Sequence, residues 1–403
     1  MRFAWHLGLG KELGLAFWAM TMFEATIGAY ASIWPLWIER LGAPIVVVGL
    51  VLGLSGVIRP FVLLPSSWLF ERVDPLKVLL GARILSIVGL LIAALAQNWP
   101  LLLITVVFNA FGEIVFATIH TYVADKSGPN KVQAFSMVVT IGPAAALIVM
   151  PILSGLVISI WGIRAAFILA VITTVIALAF VSRMNFQKTR SGEEETADQP
   201  SYREAFRHRT TRSILLLHGC TLICLSIGVS LVPNYLEDFR GVHAATISVL
   251  SAGAAVGTAI FAIVTARSRK LQNNPLFAAA IATSFVVIAM ILFATLSALP
   301  AIAVAYFLRG GLFSAWVLFI SAVGDLTPAR IRSRAFITLE ILGGGAMSFG
   351  PVIAAQLYGF DPRMPLVVGA VSGLVMVMIV LRVGRMIRQA QPAPVVPAES
   401  LAG

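Results

Sequence analysis

The sequence predicts an all-α integral membrane protein with twelve transmembrane helices in two pseudo-symmetric six-helix halves. Of the 403 residues, 59% are hydrophobic and 12% are charged, whereas soluble domains carry about 25% charged residues. Apolar stretches of about 20 residues, long enough to cross a bilayer, recur to the end of the chain. One stretch with its loop, residues 101–135, is repeated at residues 302–336. A repeated span indicates two similar halves.

The apolar stretches fall into two groups of six with a polar segment between them. The first half is predicted as residues 1–184, the linker as 185–211 and the second half as 212–388. The Pro- and Ala-rich tail 389–403 is expected to be disordered. The predicted spans are residues 13–38, 44–70, 76–97, 99–124, 132–160, 163–184, 212–236, 244–266, 275–297, 300–324, 334–359 and 364–386.

The distribution of Lys and Arg predicts the orientation of the chain. With the N-terminus inside, 22 of the 29 Lys and Arg residues fall in inside segments and 4 in outside loops. Cytoplasmic loops of membrane proteins carry such an excess. Both termini and the linker are therefore expected in the cytoplasm, with the chain in the cell (inner or plasma) membrane. The net charge of +11 reflects these loops, and no nucleic-acid partner is expected.

Nothing in the sequence indicates an enzyme or a cofactor. There is no P-loop, no Gly-x-Ser-x-Gly motif and no metal-binding cluster of His and Cys. The two cysteines, Cys220 and Cys224, are one helical turn apart and are interpreted as packing residues. The expected partners are the lipid bilayer, a small-molecule substrate and protons, and the chain is expected to be a monomer.

Two carboxyl groups within the spans are candidates for proton coupling. Charge inside a membrane is costly and is typical of functional sites. Glu24 and Glu113 are predicted to carry protons, because a desolvated carboxyl group readily accepts one. Glu113 shares a helical face with Thr105 and Asn109. The alternative is that these charges pair with one another and only fasten helices.

A polar and aromatic face of the tenth span predicts substrate contacts. Tyr306, Arg309, Phe313 and Trp316 recur at helical spacing. Arg309 is expected to hold an anionic group or a carboxylate, and the rings are expected to supply apolar contacts. Asn109 aligns with Arg309 in the repeat and is a further candidate.

Three other charged residues in the spans remain open between a structural and a functional role. Arg59 is kept as a substrate candidate, although a bond to a carboxylate or to carbonyls near Pro60 is preferred. Arg83 and Glu340 lie about two turns from the cytoplasmic helix ends, so pairing or snorkelling is the default interpretation.

The six-plus-six arrangement, the central linker and the repeated span resemble the major facilitator superfamily of secondary transporters. SSWLFERVDPLKVLL, residues 66–80, is similar to the family signature after the second span, with Glu71 at the acid and Arg72 at its basic neighbour. Ser67 replaces the signature glycine. The resemblance implies that Glu71 and Arg72 act in gating at the cytoplasmic end.

Two further carboxylates, Asp125 and Asp325, end the repeated helices, where a negative charge is unfavourable unless paired. They are predicted gating residues too. The chain departs from the family at two other positions. Met150 precedes Pro151 where exporters often carry glycine, and Phe108 stands where an arginine is common.

The resemblance implies secondary active transport by alternating access. The apolar and aromatic faces favour proton-coupled efflux of small amphipathic or hydrophobic compounds. One alternative is proton-coupled uptake of a small organic anion, with Arg309 and Arg59 as the clamp. Another is a passive transporter-like receptor or lipid scramblase, which needs no titratable carboxylate.

Overall fold

The computed structural model describes residues 6–127, 131–186 and 202–390, and all regular secondary structure in these ranges is helical. Most of the predicted linker and the tail beyond residue 390 lie outside the described residues. Backbone alone is described at residues 59–60, 63–71, 113, 116–117, 131–132, 202, 333 and 390.

The described residues of the first half form nine α-helices. Their bounds are α1 Lys11–Tyr30, α2 Trp34–Arg40, α3 Ile45–Arg72, α4 Pro75–Leu95, α5 Leu101–Ala110, α6 Ile114–Lys126, α7 Lys131–Phe135, α8 Gly142–Trp161 and α9 Arg164–Val181. A 3₁₀ turn, Phe111–Glu113, joins α5 to α6, and a π-helical segment, Ser136–Ile141, joins α7 to α8.

From residue 202 to residue 390, the second half and the short helix that precedes it form ten α-helices. Their bounds are α10 Tyr202–Arg207, α11 Arg209–Val229, α12 Val232–Arg240, α13 Ala244–Arg267, α14 Arg269–Gln272, α15 Pro275–Thr295, α16 Leu299–Arg309, α17 Gly311–Leu326, α18 Ala329–Phe360 and α19 Met364–Ala390. Within the described residues, nine helical stretches are long and apolar enough to span a membrane. The all-helical membrane architecture is therefore present, while the count of twelve spans stays a prediction.

Helix breaks occur at matching places in the two halves. Residues 31–33 separate α1 from α2, and residues 230–231 separate α11 from α12. Pro35 and Pro233 stand at the second position of the new helices. Proline lacks the N–H that would continue the preceding helix, so the same residue type produces the same interruption in each half.

The repeated fourth and tenth spans are also broken at matching positions. The 3₁₀ turn Phe111–Glu113 interrupts the fourth span. The tenth span is interrupted at Gly310, between α16 and α17. Interruptions at glycine or 3₁₀ geometry change the direction in which later side chains project.

Small residues bring the two halves into close contact. Gly49, Gly53 and Gly56 lie along the face of α3 that packs against α18. A Cβ atom at Gly56 would collide with the Oγ of Ser348, and one at Gly49 with the Cβ of Ala355. Glycine at this spacing lets membrane helices approach at backbone distance.

A second contact between the halves joins α8 to α13. Ser248 Oγ donates a hydrogen bond of 2.9 Å to the carbonyl of Pro151. A Cβ atom at Gly155 would lie 2.6 Å from the carbonyl oxygen of Ala245. The two halves therefore meet along α3–α18 and α8–α13, and these pairs flank the space between them.

Candidate substrate cavity

A cavity of about 620 Å³ lies between the halves, lined by α1, α2, α3, α4, α5 and the 3₁₀ turn on one side and by α17 and α18 on the other. Apolar and aromatic side chains form most of its wall. The aromatic members are Phe23, Tyr30, Trp34, Phe313 and Trp316. A concave, mainly apolar site with a few polar groups is typical of small-molecule binding.

Arg83 is the cationic group in the described wall of the cavity. Its side chain is 1% exposed, and its guanidinium carbon lies 4.1 Å from the centroid of the Phe23 ring. A cation over an aromatic face is attracted by the ring quadrupole. A Cβ atom at Gly112 would lie 3.2 Å from the Oγ of Ser86. This face of α4 therefore packs closely on the 3₁₀ turn.

Glu340 is the carboxylate in the described wall and comes from the other half. Its Oε1 accepts a hydrogen bond of 3.1 Å from Nε1 of Trp316. Hydrogen bonds with an ionised acceptor are stronger than neutral ones, so this contact fixes the indole against the cavity. The cavity thus has a cation on one wall and a carboxylate on the other.

Asn109 and Tyr30 lie next to each other in the first-half wall of the cavity. Asn109 Nδ2 lies 3.5 Å from Tyr30 Oη, and both residues line the wall. The Tyr30 ring packs against Phe167 with centroids 5.7 Å apart and edge-on to Trp34 at 6.0 Å. These rings form an aromatic cluster beside the Asn109–Tyr30 pair.

The predicted substrate face of the tenth span is divided at its break. Phe313 and Trp316, after Gly310, line the cavity. Tyr306, before it, is fully buried and packs edge-on against Phe293 with centroids 5.3 Å apart. Arg309 is half-buried with its guanidinium carbon 5.8 Å from the Tyr306 ring centroid. Neither Tyr306 nor Arg309 lines the cavity.

The two proton-coupling candidates are placed differently. Glu24 is half-buried on α1, and its chain neighbour Phe23 lines the cavity while Glu24 does not. Glu113 ends the 3₁₀ turn next to Gly112, which lines the cavity. The side chains of Glu113 and Arg59 lie outside the described part of the structure, so their roles stay predictions.

The predicted gating residues lie at the end of the bundle near the linker. Arg72, Asp125 and Asp325 are exposed there. Within the residues that the structure describes, Asp325 has no ion-pair partner. The side chain of Glu71 is not described, and the gating role of all four residues remains a prediction.

Polar contacts join the halves at the opposite end, which we call the far end. Arg40 Nη2 lies 2.5 Å from Glu237 Oε1. Asn234 is fully buried, donates to the Glu39 carboxylate, and also donates to the Pro35 carbonyl at 3.4 Å. We call Glu39, Arg40, Asn234, Glu237 and Asp238 the far-end latch.

The far-end latch also contacts α18. Within the latch, the pKa of the Glu39 carboxyl group is raised. Tyr358 donates a hydrogen bond of 2.9 Å to Asp238 Oδ2. Glu39 lies just beyond the predicted first span. Burial raises the pKa of its carboxyl group, the charges of Asp238 and Glu237 raise it further, and the Asn234 hydrogen bond partly opposes them.

Three residues around the cavity are not among the sequence-predicted site residues. The sequence leaves the roles of Arg83 and Glu340 open, with pairing or snorkelling as the default, and both line the cavity. His218 is buried behind Trp316, with the two ring centroids 5.4 Å apart. Pairing of a charge with an aromatic neighbour across helices has no signature in a single sequence.

The sequence pattern of the Major Facilitator Superfamily matches residues 14–319, which is most of the chain. The chain belongs to the Major Facilitator Superfamily. A search of curated proteins found no match. This superfamily member is a multi-pass membrane transporter of small-molecule substrates.

Solved transporter structures share its fold at low sequence identity. A mutant of the nucleoside transporter NupG has a TM-score of 0.75 at 12% identity, with 93% of this chain and 100% of that chain covered. A mutant of the peptide transporter POT has 0.68 at 15%, covering 94% and 95%. The human organic anion transporter MFSD10 (TETRAN) has 0.64 at 13%, covering 94% and 99%. At these identities the likeness concerns the fold alone.

Proposed function

We propose that the transporter exports small amphipathic compounds in exchange for protons, by alternating access at the central cavity. The observation that supports this most is the wall itself, where aromatic rings from both halves line the same space as Arg83 and Glu340, the cation and the carboxylate among its described residues. Such a wall favours a flat apolar body with a polar edge. A sugar would need many more hydrogen-bonding groups.

Alternating access requires the contacts at each end of the cavity to form in turn. In this conformation the far-end latch joins α2 to α12. With both termini in the cytoplasm, as the Lys and Arg distribution predicts, the far end is extracellular. We therefore propose that the halves 1–184 and 212–388 rock about the cavity as the latch breaks.

The linker end carries the complementary gate in this scheme. Contacts form and break there among four residues at neighbouring helix ends, namely Glu71, Arg72, Asp125 and Asp325. The linker 185–211 tethers the halves. The transporter is proposed to act as a monomer in the cell membrane, and Arg59 remains a candidate for substrate contact.

Proton coupling requires a carboxyl group whose proton exchanges with either side of the membrane. Glu113 and Glu24 are proposed for this role, because they lie in helices whose other residues line the cavity. Glu340 joins them, because its carboxylate lies in the wall itself. Protonation of Glu340 would weaken its bond to Trp316.

A second candidate function is uptake of a small organic anion. Arg83 favours it, because its nearly fully buried guanidinium lies in the cavity wall. Guanidinium groups bind carboxylates and phosphates through paired hydrogen bonds. In this version Arg83 takes the clamp role that the sequence assigned to Arg309 and Arg59.

A thermal-shift assay on purified protein tests the site and separates the two functions. Ethidium, an amphipathic cation, and anilinonaphthalene sulfonate, an amphipathic anion, are the probes. Export predicts that ethidium stabilises the wild type and that this stabilisation is lost in Phe313→Ala. Phe360→Ala is the control, because Phe360 is exposed and lies outside the cavity. Stabilisation by the sulfonate alone would support the anion carrier. Equal losses in both variants would contradict the cavity site.

A further inference from the structure

His218 is a buried imidazole for which the fold provides no hydrogen bond. Its side chain on α11 is 0% exposed. In the part of the chain that the structure describes, neither ring nitrogen has a hydrogen-bond partner. The rings of Trp316 and Phe319 pack edge-on against it, each with its centroid 5.4 Å away. A buried polar atom left unpaired costs more free energy than a typical hydrogen bond contributes.

Trp316 separates His218 from the cavity. Its indole lines the cavity and contacts the imidazole, while His218 does not line the cavity. The indole Nε1 donates to Glu340 Oε1 at 3.1 Å. One hydrogen bond to a carboxylate therefore holds the ring that covers the unpaired imidazole.

Helix α18 packs closely against the His218 and Trp316 rings. A Cβ atom at Gly343 would lie 2.8 Å from His218 Nε2 and 2.8 Å from Trp316 Cζ2. Gly344 and Gly345 follow in the same helix. Glycine weakens a helix relative to alanine, so this run of three glycines lowers the intrinsic stability of α18 beside the indole.

We propose that His218 is a concealed polar binding position for the transported compound, which Trp316 exposes to the cavity when its indole leaves Glu340. A neutral imidazole donates from one nitrogen and accepts at the other. The position therefore fits a compound whose apolar ring carries a hydroxyl, amide or carboxyl group. The inference rests on the proposed function in taking the cavity as the route of transport.

Diethyl pyrocarbonate modifies accessible imidazoles. It therefore tests directly, on full-length protein in nanodiscs, whether Trp316 shields His218. Residue-level mass spectrometry compares His218 with the exposed His243. Glu340→Ala and Trp316→Phe each remove the bond to the indole, so each should raise His218 modification about tenfold or more. Glu340→Gln keeps an acceptor and should raise it less.

Ile341→Ala is the matched control, because Ile341 is exposed beside Glu340 and lies outside the cavity. It should leave His218 modification unchanged. Constant His243 modification and an unchanged melting temperature show that a variant is folded. Unchanged His218 modification in both Glu340→Ala and Trp316→Phe would overturn the proposal.

Binding at the exposed imidazole is tested with a chemical pair in the Glu340→Ala protein. Naphthol, which carries a hydroxyl group, should slow His218 modification severalfold, and naphthalene should not. Equal protection by both, or by neither, would overturn the binding position. Stabilisation of the wild type by ethidium is measured separately, so that result can stand if this one fails.

Discussion

Arg40 and Glu237 join the two halves of the transporter at the far end, with Nη2 and Oε1 2.5 Å apart. They are 197 residues apart in the chain. Both are partly exposed, and exposed ion pairs contribute about 0–1 kcal/mol. A contact of this strength can break in every transport cycle, while the buried Asn234 adds a hydrogen bond to Glu39 between the same two helices.

Removing the ion pair should favour opening of the far end. Arg40→Ala is expected to raise the open population about two- to fivefold, because about 0.5–1 kcal/mol of closure is lost. Double electron–electron resonance measures the distribution of distances between spin labels at Leu41 and His243. The background protein has Cys220 and Cys224 replaced by alanine.

The charge-swapped pair is the control for this variant. Arg40→Glu combined with Glu237→Arg keeps opposite charges at the same positions and should restore most of the closed population. A distance distribution in Arg40→Ala equal to that of the wild type would show that the pair does not hold the latch.

Closure of the far end should depend on pH through Glu39. The pKa of Glu39 is raised in the closed latch by burial and returns toward its ordinary value when the latch opens. Proton binding therefore favours closure, which is strongest below the ordinary pKa and declines as pH rises through the raised value.

The same spin labels, measured between about pH 4 and 8, isolate this contribution. Glu39→Gln mimics the protonated carboxyl group, so it should stay closed and lose the part of the pH response that Glu39 supplies. Glu237 and Asp238 also face Glu39, which is why the comparison is with the variant. Identical pH responses in both proteins would exclude Glu39.

Close packing of α3 on α18 predicts a steric effect at Gly56. In Gly56→Ala the added Cβ would collide with Ser348 Oγ, and overpacking of this kind costs about 1–3 kcal/mol. The midpoint of thermal unfolding should fall. Gly81→Ala is the matched control, because a Cβ atom at Gly81 meets nothing within 4 Å, and its midpoint should not fall. A fall in both, or in neither, would contradict the interface.

Arg83 should distinguish anionic from other compounds. Arg83→Gln removes a charged donor, so it should weaken anilinonaphthalene sulfonate binding about tenfold or more. Binding of a neutral compound such as naphthol should change less than about threefold. Thermal-shift titrations measure both. Equal weakening of the two compounds would mean that Arg83 only supports the wall, through its contact with Phe23.

The sequence predicted much of the fold because apolar length and loop charge are local properties. Each predicted span coincides with a helix or with two helices joined at a break. The predicted substrate face with Tyr306 and Arg309 assumes an uninterrupted helix. The break at Gly310 changes which residues of the span share a face. Which way Arg83 and Glu340 face depends on how each helix is rotated, and helix rotation is set by packing against neighbours.

The far-end latch could not be predicted from the sequence, for a different reason. Arg40 ends α2 and Glu237 lies in α12, 197 residues further along the chain, and only the folded bundle brings them together. In the sequence, Arg40 was informative for orientation alone.

Substrate-driven proton movement is the measurement that tests proton-coupled transport most directly. Proteoliposomes containing a pH-sensitive dye receive ethidium, and the wild type should move protons in response. Glu113→Gln should abolish the signal while its melting temperature stays within about 2 °C of the wild type, and Ile341→Ala should retain it. No proton movement in the wild type, or full coupled movement in Glu113→Gln, would contradict the proposed coupling.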